Sequence, residues 1–232
     1  MSKAPIHSRE KKLALRQLAE QYPWLSTYVT TFGSPSSAGG RPPTAFPRKG
    51  YHCSLSTAEL SIITKWQKRL QDLLDRKPAR GETVGLLTHI FTNTYQEAQA
   101  ASAVKPGSLD DLLKIFVNQV LDKKQQLREL AKTYPYLGMV AASLDTRSFS
   151  TGRYPATAAR KSYSLRLTRV EASLLDDWQE RVRQLTNEKS QRGEVVGLIT
   201  GIVSMQFEEI AKTQEKEAES LEELLKMLKN IR

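Results

Sequence analysis

The sequence predicts a mostly α-helical protein that carries one short β-strand in each of two copies of a repeated unit. Three observations predict it. First, the chain matches itself at a fixed offset of 112 residues without gaps: Trp66 recurs as Trp178, LRQLAEQYPWL at Leu15–Leu25 as LRELAKTYPYL at Leu127–Leu137, and RGETVGLLTHI at Arg80–Ile90 as RGEVVGLITGI at Arg192–Ile202. Second, one segment per copy alternates apolar and polar residues with the period of a half-buried strand. Third, the remaining strongly patterned segments have helical spacing. A unit about one small domain long, present only twice, is not a typical solenoid repeat, and its halves are expected to complete one another. Repeat 1 spans residues 1–112 and repeat 2 spans 113–232.

Each copy opens on an amphipathic helix, Arg9–Gln21 in the first, with Leu13, Leu15 and Leu18 on its apolar side and the Tyr-Pro pairs at Tyr22 and Tyr134 ending it. A stretch rich in Gly, Pro and Ser follows, Gly33–Gly50, with its counterpart at Asp145–Ser162, and its composition cannot pack a core. Then comes the strand. Tyr51, Cys53 and Leu55 alternate with His52, Ser54 and Ser56, as Tyr163, Leu165 and Leu167 alternate with Ser164, Arg166 and Thr168. Ser56 and Thr168 are N-caps in sequence, each with a glutamate three residues on (Glu59, Glu171), which is the capping-box pattern.

The helix after each strand has its apolar stripe at Leu60, Ile63, Trp66, Leu70 and Leu73, and at Leu174, Trp178, Val182 and Leu185. A break near Pro78 and Ser190 precedes a second helix opening at Arg-Gly-Glu. Its buried face is expected at Val84, Leu87, Phe91 and Tyr95, and at Val196, Ile199, Val203 and Phe207. Gly85 and Gly197 lie inside this helix, where glycine costs about 1 kcal/mol relative to alanine, and close crossing of the paired second helices is the expected reason. A third helix starts at Ser108 and is expected to run on through Leu121 and Leu127 into the opening helix of repeat 2.

Composition bounds the function. The chain has 232 residues, 39% of them hydrophobic, enough for a sizeable core. No run approaches the ~20 apolar residues that span a bilayer, so no membrane partner is expected. MSKAPIHSREKK lacks the apolar stretch of a secretory signal, so a cytoplasmic, nucleoid-associated location is expected. Cys53 is the only cysteine, which excludes an intramolecular disulfide, and with His7, His52 and His89 scattered there is no zinc site of the usual kind. Neither a metal nor a cofactor is expected. No phosphate loop, nucleophile elbow or paired-carboxylate arrangement stands out, so no catalytic residue is expected. Asp110 with Asp111 and Glu222 with Glu223 sit in helical first turns, where they oppose the macrodipole.

Lys plus Arg is 35 against 25 Asp plus Glu, a formal charge of +10, which suits a polyanionic partner. The distribution is more informative than the total. Arg41, Arg48 and Lys49 precede the first strand, and Arg153, Arg160 and Lys161 occupy the same three places before the second.

One strand cannot stand alone, because its backbone donors and acceptors need a partner. Pairing the two antiparallel would put Tyr51, Cys53, Leu55, Tyr163, Leu165 and Leu167 on a helical core and leave the alternate side chains on an open face. Strand, helix, break, helix, in YHCSLS to about residue 96 and YSLRLT to about residue 208, resembles the ribbon-helix-helix family of DNA-binding proteins, which includes the Arc and Met repressors. The match covers about two fifths of the chain, with the motifs at about 50–97 and 162–209. The tandem copies look like a single-chain pseudo-dimer of the kind found among some plasmid-transfer accessory proteins.

The resemblance implies a two-stranded ribbon in the major groove of double-stranded DNA, reading bases through Gly50, His52 and Ser54 on one strand and Ser162, Ser164 and Arg166 on the other. Arg166 is the strongest candidate, since arginine bonds guanine through two hydrogen bonds. It also implies phosphate held at the N-terminus of the second helix, around Arg80 and Gly81 and around Arg192 and Gly193. The basic arms at Arg41, Arg48, Lys49, Arg153, Arg160 and Lys161 would follow phosphates or enter a minor groove. Helices Leu109–Leu113 and Leu221–Leu228 are expected to pack or to mediate self-association on DNA. Three functions follow: a transcriptional repressor or autoregulator, an accessory protein of partition or a transfer origin on mobile DNA, and a helical protein-interaction scaffold.

Overall fold

The computed structural model describes residues 4–28, 46–74, 76–102, 106–116, 160–187, 189–214 and 218–229. Among them are seven α-helices and one two-stranded antiparallel sheet. Helix α1 (Ala4–Gln21) and a short 3-10 turn (Pro23–Leu25) lead to strand β1 (Lys49–Leu55), then α2 (Thr57–Leu74), α3 (Arg80–Ser102) and α4 (Leu109–Phe116). The second copy supplies β2 (Lys161–Leu167), α5 (Arg169–Thr186), α6 (Arg192–Gln214) and α7 (Leu221–Lys229). None of these helices is long and apolar enough to cross a membrane. The expected helix linking the copies lies, beyond Phe116, outside the described residues.

The two strands pair with each other, Lys49 opposite Leu167 through Leu55 opposite Lys161. His52 faces Ser164, its own counterpart in the repeat, so the approximate two-fold axis relating the copies passes through that pair. Alternation then decides the faces. Tyr51, Cys53, Leu55, Leu165 and Leu167 are buried and Tyr163 is half-buried, while Gly50, His52, Ser162, Ser164 and Arg166 are exposed and Ser54 is intermediate.

Neither copy has a core of its own. β1 lies on α6 and β2 on α3, while α2 packs against α6 and α5 against α3. The tryptophans register this exchange. Trp66 Nε1 donates to Ser204 Oγ at 2.5 Å, and Trp178 Nε1 donates to Thr92 Oγ1 at 2.9 Å. Phe207 meets Trp66 edge-on, as Tyr95 meets Trp178, and Arg69 and Arg181 cover the outer faces of Phe207 and Tyr95.

Both capping boxes form. Ser56 N donates to Glu59 and Glu59 N to Ser56 Oγ, and Thr168 makes the same exchange with Glu171. On α2, Ile63, Trp66, Leu70 and Leu73 are buried as their spacing predicts. On α5 the buried leucine is Leu175, the counterpart of Ile63, and Leu174 is only partly covered. In α1, Leu15 and Leu18 are buried but Leu13 is 58% exposed, outside the stripe that meets α7.

The second helices depart most from expectation. Instead of one apolar face, α3 is buried all round from Gly81 to Phe91, and α6 from Val195 to Phe207. Each is enclosed by a strand, both first helices and the opposite second helix, and a helix covered on every side forms the centre of the core.

The flanking helices also exchange. α4 packs on α3 and α5, burying Leu112 and Phe116, and α7 packs on α6, α3, α2 and α1, burying Leu221, Leu224, Leu225, Met227 and Leu228. These side chains are covered within the chain. Among the described side chains, these apolar residues of the flanking helices are taken up by packing inside the fold.

Candidate nucleic-acid interface

The open face of the sheet presents three cross-strand pairs, Gly50 with Arg166, His52 with Ser164, and Ser54 with Ser162. Lys49 and Lys161 are exposed at the two ends. The same alternation that buries the apolar set turns the residues of these three pairs outward, since successive side chains of a strand point to opposite faces. Lys49 and Lys161 have the parity of the buried set and are exposed as the first residues of their strands. Behind them Cys53 is sealed, and burial, followed by the nearby Glu59 carboxylate, pushes its thiol up to about 11. It is a core residue.

At each end the sheet is locked by an arginine from the segment preceding a strand. Arg48 Nη1 donates to Glu171 Oε2 at 2.8 Å and Nη2 to Oε1 at 3.0 Å, and Nη1 also reaches the Arg166 carbonyl at 3.1 Å. Tyr28 donates to Glu171 Oε1 at 2.5 Å. The second copy repeats the clamp across the axis, with Arg160 donating to Glu59 Oε1 at 2.7 Å and to the Ser54 carbonyl at 2.9 Å. This corrects the expectation that Arg48 and Arg160 line a phosphate path. The Arg48 side chain is 4% exposed and that of Arg160 21%, because two capping-box carboxylates buried in the core require a countercharge. Arg41 and Arg153, expected on the same arms, lie outside the described residues.

The glycines of the second helices serve this clamp. A Cβ on Gly81 would collide with the Arg166 carbonyl, and one on Gly193 with the Ser54 carbonyl. The Arg-Gly pair thus brings each second helix directly under the opposite strand, and both glycines are buried. A Cβ on Gly85 would run into the Glu171 carboxylate, and one on Gly197 into that of Glu59. These two glycines make room for buried carboxylates, which stand nearer to the added Cβ than any atom of the paired second helix.

At the first turn of α3, Glu82 accepts from Ala79 N at 2.7 Å and from Arg76 at 2.9 Å, and Glu194 accepts from Gln191 N at 2.7 Å before α6. One free amide at each helix start is therefore already satisfied. Arg80 and Arg192 remain at the surface, exposed, with guanidinium carbons 5.6 Å from the Tyr163 ring and 4.5 Å from the Tyr51 ring. Arg192 differs from its counterpart in being paired with Asp176 Oδ1 at 3.3 Å, which also accepts from the Tyr51 hydroxyl at 3.0 Å. Burial and then Asp176 raise the Tyr51 phenol above its ordinary range.

The arrangement can offer one guanidinium (Arg166), one imidazole and three hydroxyls on a surface two strands wide, with Lys49, Lys161 and Arg80 beside it. Among the described residues no cluster of His, Cys, Asp and Glu could hold a metal ion. Comparison with models of protein families, with curated proteins and with solved structures finds no match to the chain.

Sequence reasoning missed Tyr28, Asp176 and the pairing of Arg48 and Arg160 with the capping glutamates. A signal for the last was present. Arg48, Arg160, Glu59 and Glu171 all recur at the repeat offset, and a recurrent cation and anion flanking the same strand are candidates for each other.

Proposed function

We propose that this chain is a sequence-specific double-stranded DNA-binding protein, a single-chain pseudo-dimer of the ribbon-helix-helix kind that acts as a transcriptional repressor or autoregulator. The observation that carries this reading is the antiparallel pairing of β1 with β2, which leaves the polar set Gly50, His52, Ser54, Ser162, Ser164 and Arg166 together on the outer face. A two-stranded ribbon fits a major groove about 12 Å wide. Rigid support favours readout, and here β1 lies on α6 and β2 on α3.

In this reading Arg166 binds the O6 and N7 of guanine, while His52 and the serines contact base edges or backbone. Lys49, Lys161, Arg80 and Arg192 set the protein on the phosphates, contacts that position without specifying sequence. The net charge of +10 supports a strong salt dependence.

Selection from a random duplex library with the full-length protein, followed by binding to the selected duplex across a salt series, tests the proposal. An enriched motif and a steep salt slope are expected. Salt-sensitive binding without enrichment would move the function to an architectural or accessory role on DNA. Absence of binding to any duplex at moderate ionic strength would leave the helical scaffold.

A further inference from the structure

The two ends of the sheet are built on the same plan but do not carry the same free charge. At one end lie Gly50, Arg166, Lys49 and Arg80; at the other, in the same structural places, lie Ser162, Ser54, Lys161 and Arg192. Two substitutions between the copies break the equivalence. Arg166 is matched by Ser54, which removes one exposed guanidinium from the second end. Asp176 is matched by Thr64, which turns its hydroxyl back onto the Leu60 carbonyl of its own helix at 2.8 Å. Arg192 therefore meets a carboxylate at 3.3 Å, whereas Arg80 has none among the described residues and lies over Tyr163 alone. Among the described residues three cations without an ion-pair partner, Arg166, Lys49 and Arg80, stand at the Arg166 end, and at the Ser54 end Lys161 stands beside an arginine paired with Asp176.

Resting on the DNA-binding reading above, we infer that the chain engages its duplex with a fixed polarity. The Arg166 end makes the tight half of the contact and the Ser54 end the loose half, and Asp176 is the residue that loosens it by neutralising Arg192. Asp176 is a positioning residue. It acts through Arg192 and contacts no nucleotide itself. Its side chain is 49% exposed and that of Arg192 46%, so the pair sits where a phosphate would compete with the carboxylate for the guanidinium. A phosphate arriving at Arg80 displaces nothing. One arriving at Arg192 must first separate an ion pair that Tyr51 also holds in place. A polarity of this kind lets one chain bind an asymmetric site in one orientation, which two identical chains cannot do.

The test uses the full-length protein and its selected duplex, with affinity measured over a salt series and protection mapped by hydroxyl-radical footprinting. Asp176→Thr, which copies Thr64, is expected to tighten binding several-fold, to steepen the log–log salt slope by about 0.9, the value for one added phosphate contact, and to extend protection on the Ser54 side. Thr64→Asp is expected to do the reverse on the Arg166 side. Asp177→Thr is the control for net charge, since Asp177 is an exposed neighbour of the same sign.

Equal gains from Asp176→Thr and Asp177→Thr, or a wild-type footprint already even on both sides, would overturn the inference while leaving DNA binding intact. Failure of the wild-type protein to bind any duplex would overturn the DNA reading and the polarity with it.

Discussion

Arg48 and Glu171 stand 123 residues apart in the chain and meet as a buried, two-pronged ion pair that joins the segment before β1 to the first turn of α5. Glu171 is also the capping-box acceptor of Thr168 N and the acceptor of Tyr28, so one carboxylate holds three segments. Removing one member of a buried pair leaves the other charged and unpaired, at a cost of about 3–5 kcal/mol. Glu171→Ala is expected to destabilise the chain by that order in urea unfolding. Glu59→Ala removes the same cap, but Arg160 is more exposed than Arg48 and can regain water, and position 140, the counterpart of Tyr28, is a valine that cannot donate. Its cost is expected to be distinctly smaller. Equal losses would refute the burial argument.

Gly81 and Gly193 bring the second helices against strand backbone, which cannot swing away as a side chain can. Alanine at either position is expected to cost at least the ~1–3 kcal/mol typical of overpacking. Gly107→Ala supplies the contrast, because its added Cβ would come no nearer than 3.9 Å to Asp111 Oδ2. Thermal unfolding of the three variants checks the expected order. A neutral Gly81→Ala would mean that α3 can retreat from β2.

Local pattern made the strands and their faces readable, because a period of two in Tyr51, Cys53 and Leu55 and in Tyr163, Leu165 and Leu167 puts every apolar side chain on one side of an extended backbone and on no single side of a helix. The capping boxes were readable for the same reason, as Ser56 with Glu59 and Thr168 with Glu171 act within three residues. The complete burial of α3 and α6 was not. Thr88, Thr200 and Ser204 look polar in sequence, yet each hydroxyl donates to the carbonyl four residues back, Thr88 to Val84, Thr200 to Val196 and Ser204 to Thr200. A hydroxyl satisfied by its own helix can enter a core without a partner elsewhere, so polarity there gave no sign of exposure. The roles of Gly85, Gly197, Arg48 and Arg160 were hidden because each partner lies in the other copy. Of the candidate reading surface, composition and alternation placed the residues on one face; the register with His52 opposite Ser164, and so the inequality of the two ends, came only from the fold.

His89 adds a pH dependence. It is buried, stacked on Trp24 at 5.2 Å with Tyr28 edge-on, and burial followed by the charge of Arg48 lowers its pKa from 6.5 to about 4. Between those values the unfolded chain binds a proton that the folded chain refuses. Stability therefore falls as the pH drops through this window and is fully present above it. The shift corresponds to about 3 kcal/mol in all, of which about 2 kcal/mol is lost between pH 7 and pH 5. Urea unfolding at the two pH values is expected to show this loss in the wild-type protein and to show it largely abolished in His89→Gln. An unchanged slope in the variant would assign the acid sensitivity to other groups.

Arg166 separates base reading from mere attraction. Its side chain is exposed and has no acidic neighbour among the described residues, while its carbonyl is fixed by Arg48 and covered by Gly81, so the guanidinium is free while the backbone bearing it is held. On a panel of single base-pair changes in the selected duplex, Arg166→Ala is expected to lose about 1–3 kcal/mol of discrimination at one position and to keep its preferences elsewhere. Lys49→Ala is expected to behave differently, weakening all duplexes alike and reducing the salt slope by about 0.9. Were Arg166→Ala to weaken every duplex equally with base preference unchanged, Arg166 would be one more phosphate contact. Specificity would then have to come from His52 and the serines beside the axis, or from the shape of the DNA they meet.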